Sequence, residues 1–179
     1  MKRAVFIERD GILNEVQIGP KSQVPPVTVE EFRIHAAAQA PLRRLKAAGF
    51  LLLATTNQPG LSRGYQSRRE LDRMHEMLRR AFPLDDILIC PHDESDQCPC
   101  RKPRPGLLIE GGFKWNVSLD HSFVLSDKWQ DAEAACVAGC TSVMLKSPWV
   151  GQVHHDLVLP DLGAIAEKII SLCKQLQWV

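Results

Sequence analysis

Four short clusters in this sequence carry groups that could do chemistry together. Glu8 and Asp10 are two residues apart, so in extended chain they face the same side. Thr55, Thr56, Asn57 and Gln58 form a stretch rich in hydroxyls and amides, closed by Pro59 and Gly60. Arg101 and Lys102 are adjacent cations ahead of Pro103. Asp127 and Lys128 follow Ser126, and Asp131 lies four residues beyond Asp127. Phosphoryl transfer asks for this assortment. One carboxylate attacks phosphorus or holds a metal. A second, protonated carboxyl gives a proton to the leaving oxygen. A hydroxyl and a lysine neutralise the phosphoryl oxygens, and Mg²⁺, a hard cation suited to oxygen ligands, bridges carboxylates and phosphate. A lone acid after a strand is usually a helix cap or a solvated loop residue. Four such features at successive strand ends are poorly explained that way.

A second constellation stands just before the paired cations. Cys90, His92, Cys98 and Cys100 fall within eleven residues. Three thiolates and one imidazole match a tetrahedral Zn²⁺ site, and a full set of four protein ligands marks a structural zinc rather than a catalytic one. Metal binding would itself supply much of the loop's order and would aim Arg101 and Lys102. The other cysteines, Cys136, Cys140 and Cys173, sit on helical stretches and read as small core residues. His75, His121, His154 and His155 have no partner pattern and read as surface or structural. Trp115, Trp129, Trp149 and Trp178 are scattered, without the basic groove that a base-stacking platform needs.

The elements that must position these residues alternate along the chain. Ala4 to Ile7 is an unbroken apolar run, as in a strand buried on both faces. Ala36 to Ala48 reads as a helix stopped by Gly49, and Phe50 to Ala54 as the next strand. Ser67 with Glu70 is a capping-box pattern for a helix running to about Ala81. Ile87 to Cys90 is a third strand, and Pro105 opens a short helix ending near Gly111. Ser122 to Leu125 and Ser142 to Leu145 are strands flanking a helix from Asp131 to Ala138, stopped by Gly139. Leu157 to Leu159 adds an edge strand, and Asp161 caps a terminal helix. This rhythm predicts an α/β fold, a parallel sheet with helices on both faces, in a single domain over residues 1–179. Ligands of such sheets sit outside the carboxyl ends of the strands, at a switch in strand order. Asn14 to Ile34 is an insertion with one short helical turn at Thr28 to Glu31. It is too short for a cap domain, so the site should be open.

Composition narrows the class of function. The chain has 45% apolar and 24% charged residues and a formal net charge of +1. That charge gives no bulk attraction to nucleic acid or to an anionic membrane, and it disfavours a zinc-ribbon nucleic-acid binder. The N-terminal apolar run stops at Glu8, too soon for a signal peptide, and no stretch approaches a membrane span. The expectation is a cytoplasmic protein whose cysteines are thiols or metal ligands.

In these motifs the chain resembles the haloacid dehalogenase superfamily, subfamily IIIA, in its branch of sugar-bisphosphate and histidinol-phosphate phosphatases. Glu8-Arg9-Asp10-Gly11 with Asn14, Thr56-Asn57-Gln58-Pro59-Gly60 with Arg63-Gly64, the run from Cys90 to Pro103, and Ser126-Asp127-Lys128 with Asp131 follow that family's signatures in order, over about residues 3 to 146. The resemblance implies a Rossmann-like fold without a large cap and a Mg²⁺-dependent phosphatase acting on a small phosphorylated sugar. It implies a monomer with no nucleic-acid or membrane partner. It casts Asp10 as general acid and base with its backbone carbonyl on Mg²⁺, Thr56 and Lys102 as phosphoryl ligands, and Asp127 as completing the Mg²⁺ site. Asp131 would orient Lys102 or metal-bound water, and Asn57, Arg63, Arg101 and Lys128 are candidate substrate contacts. The family's nucleophile is Asp, and here the matching residue is Glu8, also a Mg²⁺ ligand by the same resemblance. Its stem is one methylene longer, on the order of 1 Å, and a misplacement of that size can cost about 10²-fold in rate. Ser126 stands where the family has Gly and adds a side chain beside Asp127. An alternative is therefore a domain that binds Mg²⁺ and a phosphorylated ligand without efficient turnover.

Overall fold

The computed structural model describes residues 1–20 and 22–175, so Trp178 lies outside the described residues. Strand β1, Ala4–Glu8, is buried along its whole length. Its side chains still divide between two faces: Val5 and Ile7 join one apolar core, Ala4 and Phe6 the other. A hairpin of β2, Gln17–Ile18, and β3, Gln23–Val24, follows in antiparallel pairing. Then come α1 (Gln39–Ala47), β4 (Leu51–Asn57), α2 (Arg68–Ala81), β5 (Asp86–Cys90) and α3 (Gly106–Trp115). The chain ends its described part with β6 (Phe123–Ser126), α4 (Trp129–Ala138), β7 (Thr141–Leu145), β8 (Leu157–Leu159) and α5 (Leu162–Gln175).

Six strands form one sheet in the order β5-β4-β1-β6-β7-β8, every pair parallel. From β1 the chain winds outward through β4 and β5, then returns to the other side of β1 for β6, β7 and β8. The order therefore reverses at the carboxyl end of β1, where successive connections splay apart and leave a crevice. Leu42, Leu45, Leu71, Met74, Leu78, Ile165 and Ile169 of α1, α2 and α5 cover one face. Leu107, Leu108, Ala134 and Ala135 of α3 and α4 cover the other. Among the described residues no helix is long and apolar enough to cross a membrane.

Several boundaries differ from the sequence expectation, each for a physical reason. Helix α3 runs four residues past Gly111. A Cβ there would lie 2.6 Å from Phe6 Cε1, so this glycine lets the helix settle onto the sheet rather than ending it. The stop is Asn116, in the left-handed region at φ 54°. Strand β4 extends to Asn57, so the hydroxyl-rich residues lie within the strand end rather than after it. The hairpin was not expected, because two-residue strands that are mostly exposed carry no alternating pattern. At Thr28 to Glu31 the chain does make a turn, closed by Phe32 N–H donating to Val29 O at 3.1 Å. Ser67 caps α2 by accepting from Glu70 N, but the Glu70 carboxylate turns away to accept from Val29 N at 2.8 Å, tying the insertion to α2. Cys140 and Cys173 are buried, whereas Cys136 lies on the exposed side of α4 and is not a core residue.

Candidate active site

The crevice at the end of β1 gathers most of the chemical clusters. Glu8 is the last residue of β1 and pairs in register with Thr55 of β4. Asp10 follows on the same side, Thr56 lies on β4, and Asp127 comes directly after β6. Lys102 arrives from the loop between β5 and α3. A cleft of about 500 Å³ opens above them, lined by Glu8, Asp10, Asn57, Arg101, Lys102, Lys128 and Asp131 and by residues of the β2–β3 hairpin and the loop after β7.

Asp10 is 2% exposed, and both its oxygens are engaged. Oδ1 accepts from Arg9 Nη2 at 2.8 Å, Arg9 Nε at 3.1 Å and Asn14 Nδ2 at 3.1 Å. Oδ2 accepts from Gln58 Nε2 at 3.0 Å and Thr56 Oγ1 at 3.2 Å. Burial pushes this carboxyl's pKa up, but the charge and hydrogen bonds of Arg9, the charge of Lys128 and the Asn14 amide together hold it below the ordinary carboxylate range. Arg9 itself is fully buried; it also donates to His75 Nε2 at 3.2 Å and lies 5.8 Å over the Phe32 ring. A guanidinium can only donate, so His75 Nε2 is the acceptor and carries no proton. Burial, then the Arg9 charge, press the His75 pKa down to about 3.

Lys102 is the hub of the opposite side. Its ammonium contacts Glu8 Oε2 and donates to Asp131 Oδ1 at 2.7 Å. Burial and the neighbouring Lys128 charge lower its pKa, with Asp131 pulling the other way. Ser126 Oγ donates to the second Asp131 oxygen at 2.9 Å. The added side chain at position 126 thus points to Asp131 rather than crowding Asp127. Lys128 Nζ contacts the backbone carbonyl of Asp10, lies 3.1 Å from Asp127 Oδ1 and 3.8 Å from Glu8 Oε1. One ammonium therefore sits where two carboxylates and a carbonyl converge. Such a group of oxygens could hold a hard divalent cation.

The Cys/His cluster forms a separate knot beside the cleft. The ligand atoms of Cys90, His92, Cys98 and Cys100 lie within 4.8 Å of one another. Cys90 and Cys98 Sγ are 3.6 Å apart, Cys98 and Cys100 Sγ 3.5 Å, and His92 Nδ1 is 3.7 Å from Cys90 Sγ and 3.3 Å from Cys100 Sγ. A tetrahedron of Zn–S bonds of about 2.3 Å has edges of about 3.8 Å, so these four atoms need little movement to close on a soft or borderline metal ion.

Comparison with known proteins bears on this arrangement. No family model matches the chain. A D-glycero-beta-D-manno-heptose-1,7-bisphosphate 7-phosphatase from Helicobacter pylori is 33% identical over 135 residues, covering 72% of this chain and 74% of that protein. A protein of the same description from Pseudomonas aeruginosa is 30% identical over 183 residues, covering 96% of this chain and all (100%) of that one. The crystal structure of D,D-heptose 1,7-bisphosphate phosphatase from B. bronchiseptica, complexed with magnesium and phosphate, superposes with a TM-score of 0.82 at 27% identity, covering 96% of this chain and 99% of that chain. The chain belongs to the haloacid dehalogenase family, in its heptose-bisphosphate phosphatase branch.

Within this phosphatase the candidate substrate contacts do not all reach the cleft. Arg101 does, with Nη1 donating to His92 O at 3.3 Å. Both amide atoms of Asn57 are occupied by the Lys102 backbone: Oδ1 accepts its N–H at 3.1 Å and Nδ2 donates to its carbonyl at 3.2 Å. Asn57 thereby locks the lysine loop onto the end of β4. Arg63 is exposed and paired with Asp93 in the Cys/His loop, with Nε donating to Oδ2 at 2.9 Å. That pairing lowers the Asp93 pKa to about 2. Residues singled out less or not at all in the sequence also prove central. Arg9 is a charge embedded at the end of an apolar strand, a signal that was available. Gln23, donating to Asp127 Oδ2 at 2.5 Å, comes from a hairpin that left no signal.

Proposed function

We propose that this phosphatase removes one phosphate from a sugar bisphosphate, D-glycero-D-manno-heptose 1,7-bisphosphate at its 7-phosphate or a close analogue, with Mg²⁺ bound at Glu8, Asp10 and Asp127. The observation that carries this reading is the convergence of Glu8 Oε1, Asp10 O and Asp127 Oδ1 on one cationic group at the strand-order switch. The donor set suits Mg²⁺: all oxygen, two of them anionic. When bound, the ion would neutralise the phosphoryl group and fix it in place.

Glu8 is the attacking carboxylate, held in reach by Lys102 and by the Asp10 N–H, which donates to Glu8 Oε1 at 3.2 Å. Lys102 and Thr56 receive the phosphoryl oxygens. Asp10 carries the proton to the leaving oxygen and withdraws one from the water that follows. Its Oδ2, held by Thr56 and Gln58, is the oxygen nearer the phosphoryl ligand Thr56. Asp131 and Asn57 position Lys102 rather than touching substrate.

Zn²⁺ at Cys90, His92, Cys98 and Cys100 has a structural part in this proposal, fixing the loop that delivers Arg101 and Lys102. Cysteines serving as thiolate ligands rather than as disulfide partners favour the reducing cytoplasm.

One alternative has its own observation. Glu8 is longer than the family's aspartate and is engaged by Lys102, which favours a site that holds Mg²⁺ and a phosphorylated ligand without efficient turnover. Phosphate release from a panel of sugar mono- and bisphosphates, with Mg²⁺ and then with chelator, tests the main reading. Mg²⁺-dependent release, fastest from a bisphosphate, supports it. Binding of the same esters with no release from any of them gives the alternative.

A further inference from the structure

One buried titratable group has no part in the chemistry described so far. His75 lies on α2 beside Leu71, Met74 and Leu78, in the apolar stripe that packs on the sheet, and is 1% exposed. An imidazole in such a stripe costs free energy unless its polar atoms are paired, and an apolar side chain would fill the space without that cost. Its pairing leads toward the cleft. Nε2 accepts from Arg9 Nη1 at 3.2 Å, which fixes the tautomer: the lone pair is on Nε2 and the ring proton on Nδ1. Burial, then the positive charges of Arg9 and Arg79, keep the ring neutral and that lone pair available.

Arg9 joins this imidazole to Asp10. A guanidinium is planar and presents its N–H groups in a fixed fork. Nε and Nη2 form one edge of the fork, and both donate to Asp10 Oδ1, at 3.1 and 2.8 Å. Nη1 projects away from that edge to His75, and the Phe32 ring lies 5.8 Å from Cζ. With Nη1 fixed, the plane of the fork is fixed, and with it the approach to Oδ1. The two oxygens of a carboxylate exchange by a turn of its terminal torsion, which is broad and two-fold. The donors around Asp10 tell them apart: Oδ1 takes Arg9 twice and Asn14 once, and Oδ2 takes Thr56 and Gln58. Without the Arg9 edge, Oδ1 would keep only the Asn14 amide.

We propose that His75 is a positioning residue for the proton-transferring carboxyl: its Nε2 holds Arg9 edge-on against Asp10 Oδ1, so that Oδ2 is the oxygen presented to the leaving group. The role needs a neutral acceptor at that point, not a charge and not a contact with substrate. It rests on the phosphatase reading, because it ties His75 to the step in which Asp10 moves a proton. Substrate binding does not pass through Arg9, so loss of the acceptor falls on kcat rather than on KM. A misplacement near 1 Å at a reacting group can cost about 10²-fold, and a carboxyl still held by Asn14, Thr56 and Gln58 should lose less.

The test measures kcat and KM for phosphate release from D-glycero-D-manno-heptose 1,7-bisphosphate by the Mg²⁺-loaded protein and by its His75→Leu and His75→Gln variants. Leucine has nearly the bulk of histidine and no acceptor, whereas glutamine offers an amide oxygen to Nη1. In His75→Leu, kcat should fall about tenfold with KM within about twofold, and His75→Gln should recover most of kcat. An unchanged kcat in His75→Leu, a loss expressed mainly in KM, or an equal fall in both variants overturns the inference. Should His75→Leu not fold, His75→Met, whose flexible chain adapts to the gap, takes its place with the same expectation. Nitrogen NMR of the histidine rings and the Arg9 guanidinium reads the clamp without turnover. A bare Nε2 on His75, with Arg9 Nη–H signals resolved in the native protein and averaged in His75→Leu, supports it; a protonated Nε2 or unaltered Arg9 signals refute it. If the native protein releases no phosphate from any ester, the phosphatase reading fails by itself, and these spectra decide the clamp alone.

Discussion

The cleft and the Cys/His loop lie side by side but are assembled in opposite ways. The cleft draws Glu8, Asp10, Thr56, Lys102, Asp127 and Asp131 from distant parts of the chain, and the parallel pairing of β1 with β4 and β6 brings them together. Its charges are mutually compensating: Asp10 is answered by Arg9, and Glu8 and Asp131 by Lys102. The loop takes its four ligand atoms from Cys90 to Cys100, most of it outside helix and strand. A site built by topology is as firm as the sheet beneath it. A site built by a local loop is only as firm as whatever fills it. The two meet at Lys102, whose backbone Asn57 fastens to β4 while its preceding residues belong to the loop.

The sharpest way to break the topological half is Asp10→Asn. Turnover should fall by about 10²–10⁴-fold, the usual contribution of a positioned proton donor. The change also leaves the buried Arg9 without its counter-charge, a loss worth about 3–5 kcal/mol. Steady-state phosphate release and thermal unfolding measure the two effects, and an unchanged kcat removes Asp10 from its role.

Glu8→Asp asks whether the floor of the cleft tolerates its long acid or is limited by it. Drawing the carboxylate back by one methylene should raise turnover up to about 10²-fold by restoring attack distance. A fall on the same substrates would mean that the surrounding cleft is fitted to glutamate.

Stripping metal and then restoring Mg²⁺ alone separates the two regions directly. Amide exchange should accelerate from Cys90 to Lys102 while β1, β4 and β6 keep their protection. Phosphate binding should drop to the level of a Lys102→Ala variant. Retained loop protection after zinc is confirmed absent by elemental analysis would show that the loop is ordered by packing alone.

The smallest effect is expected at the exposed contact between the regions. Arg63→Ala breaks the pair with Asp93, yet exposed ion pairs contribute little, so KM and kcat should stay within about twofold. A large rise in KM would return Arg63 to the list of substrate contacts.

How much of this was legible in the sequence follows from the range of the forces involved. The apolar run Ala4 to Ile7, the Ser67 cap, the Gly139 stop and the Cys/His spacing are local signals, and the elements and ligand cluster they announce are present. The alternation of strands and helices also settled a parallel sheet and hence where along it to look for chemistry. The sequence could not decide that the Asn57 amide closes on the Lys102 backbone and the Arg101 guanidinium on the His92 carbonyl, because both depend on how the loop after β5 returns to β4. Nor could it reveal that Arg9 lies against His75, since that pairing spans 66 residues and one helix packing. Gly111 read as a stop because its freedom is visible in sequence, whereas the Phe6 ring that requires its missing side chain belongs to another element. Residue types and short spacings fixed which chemistry was possible. Only the packed sheet decided which charges would face one another, because burial makes each such pairing obligatory and the partners are chosen by topology.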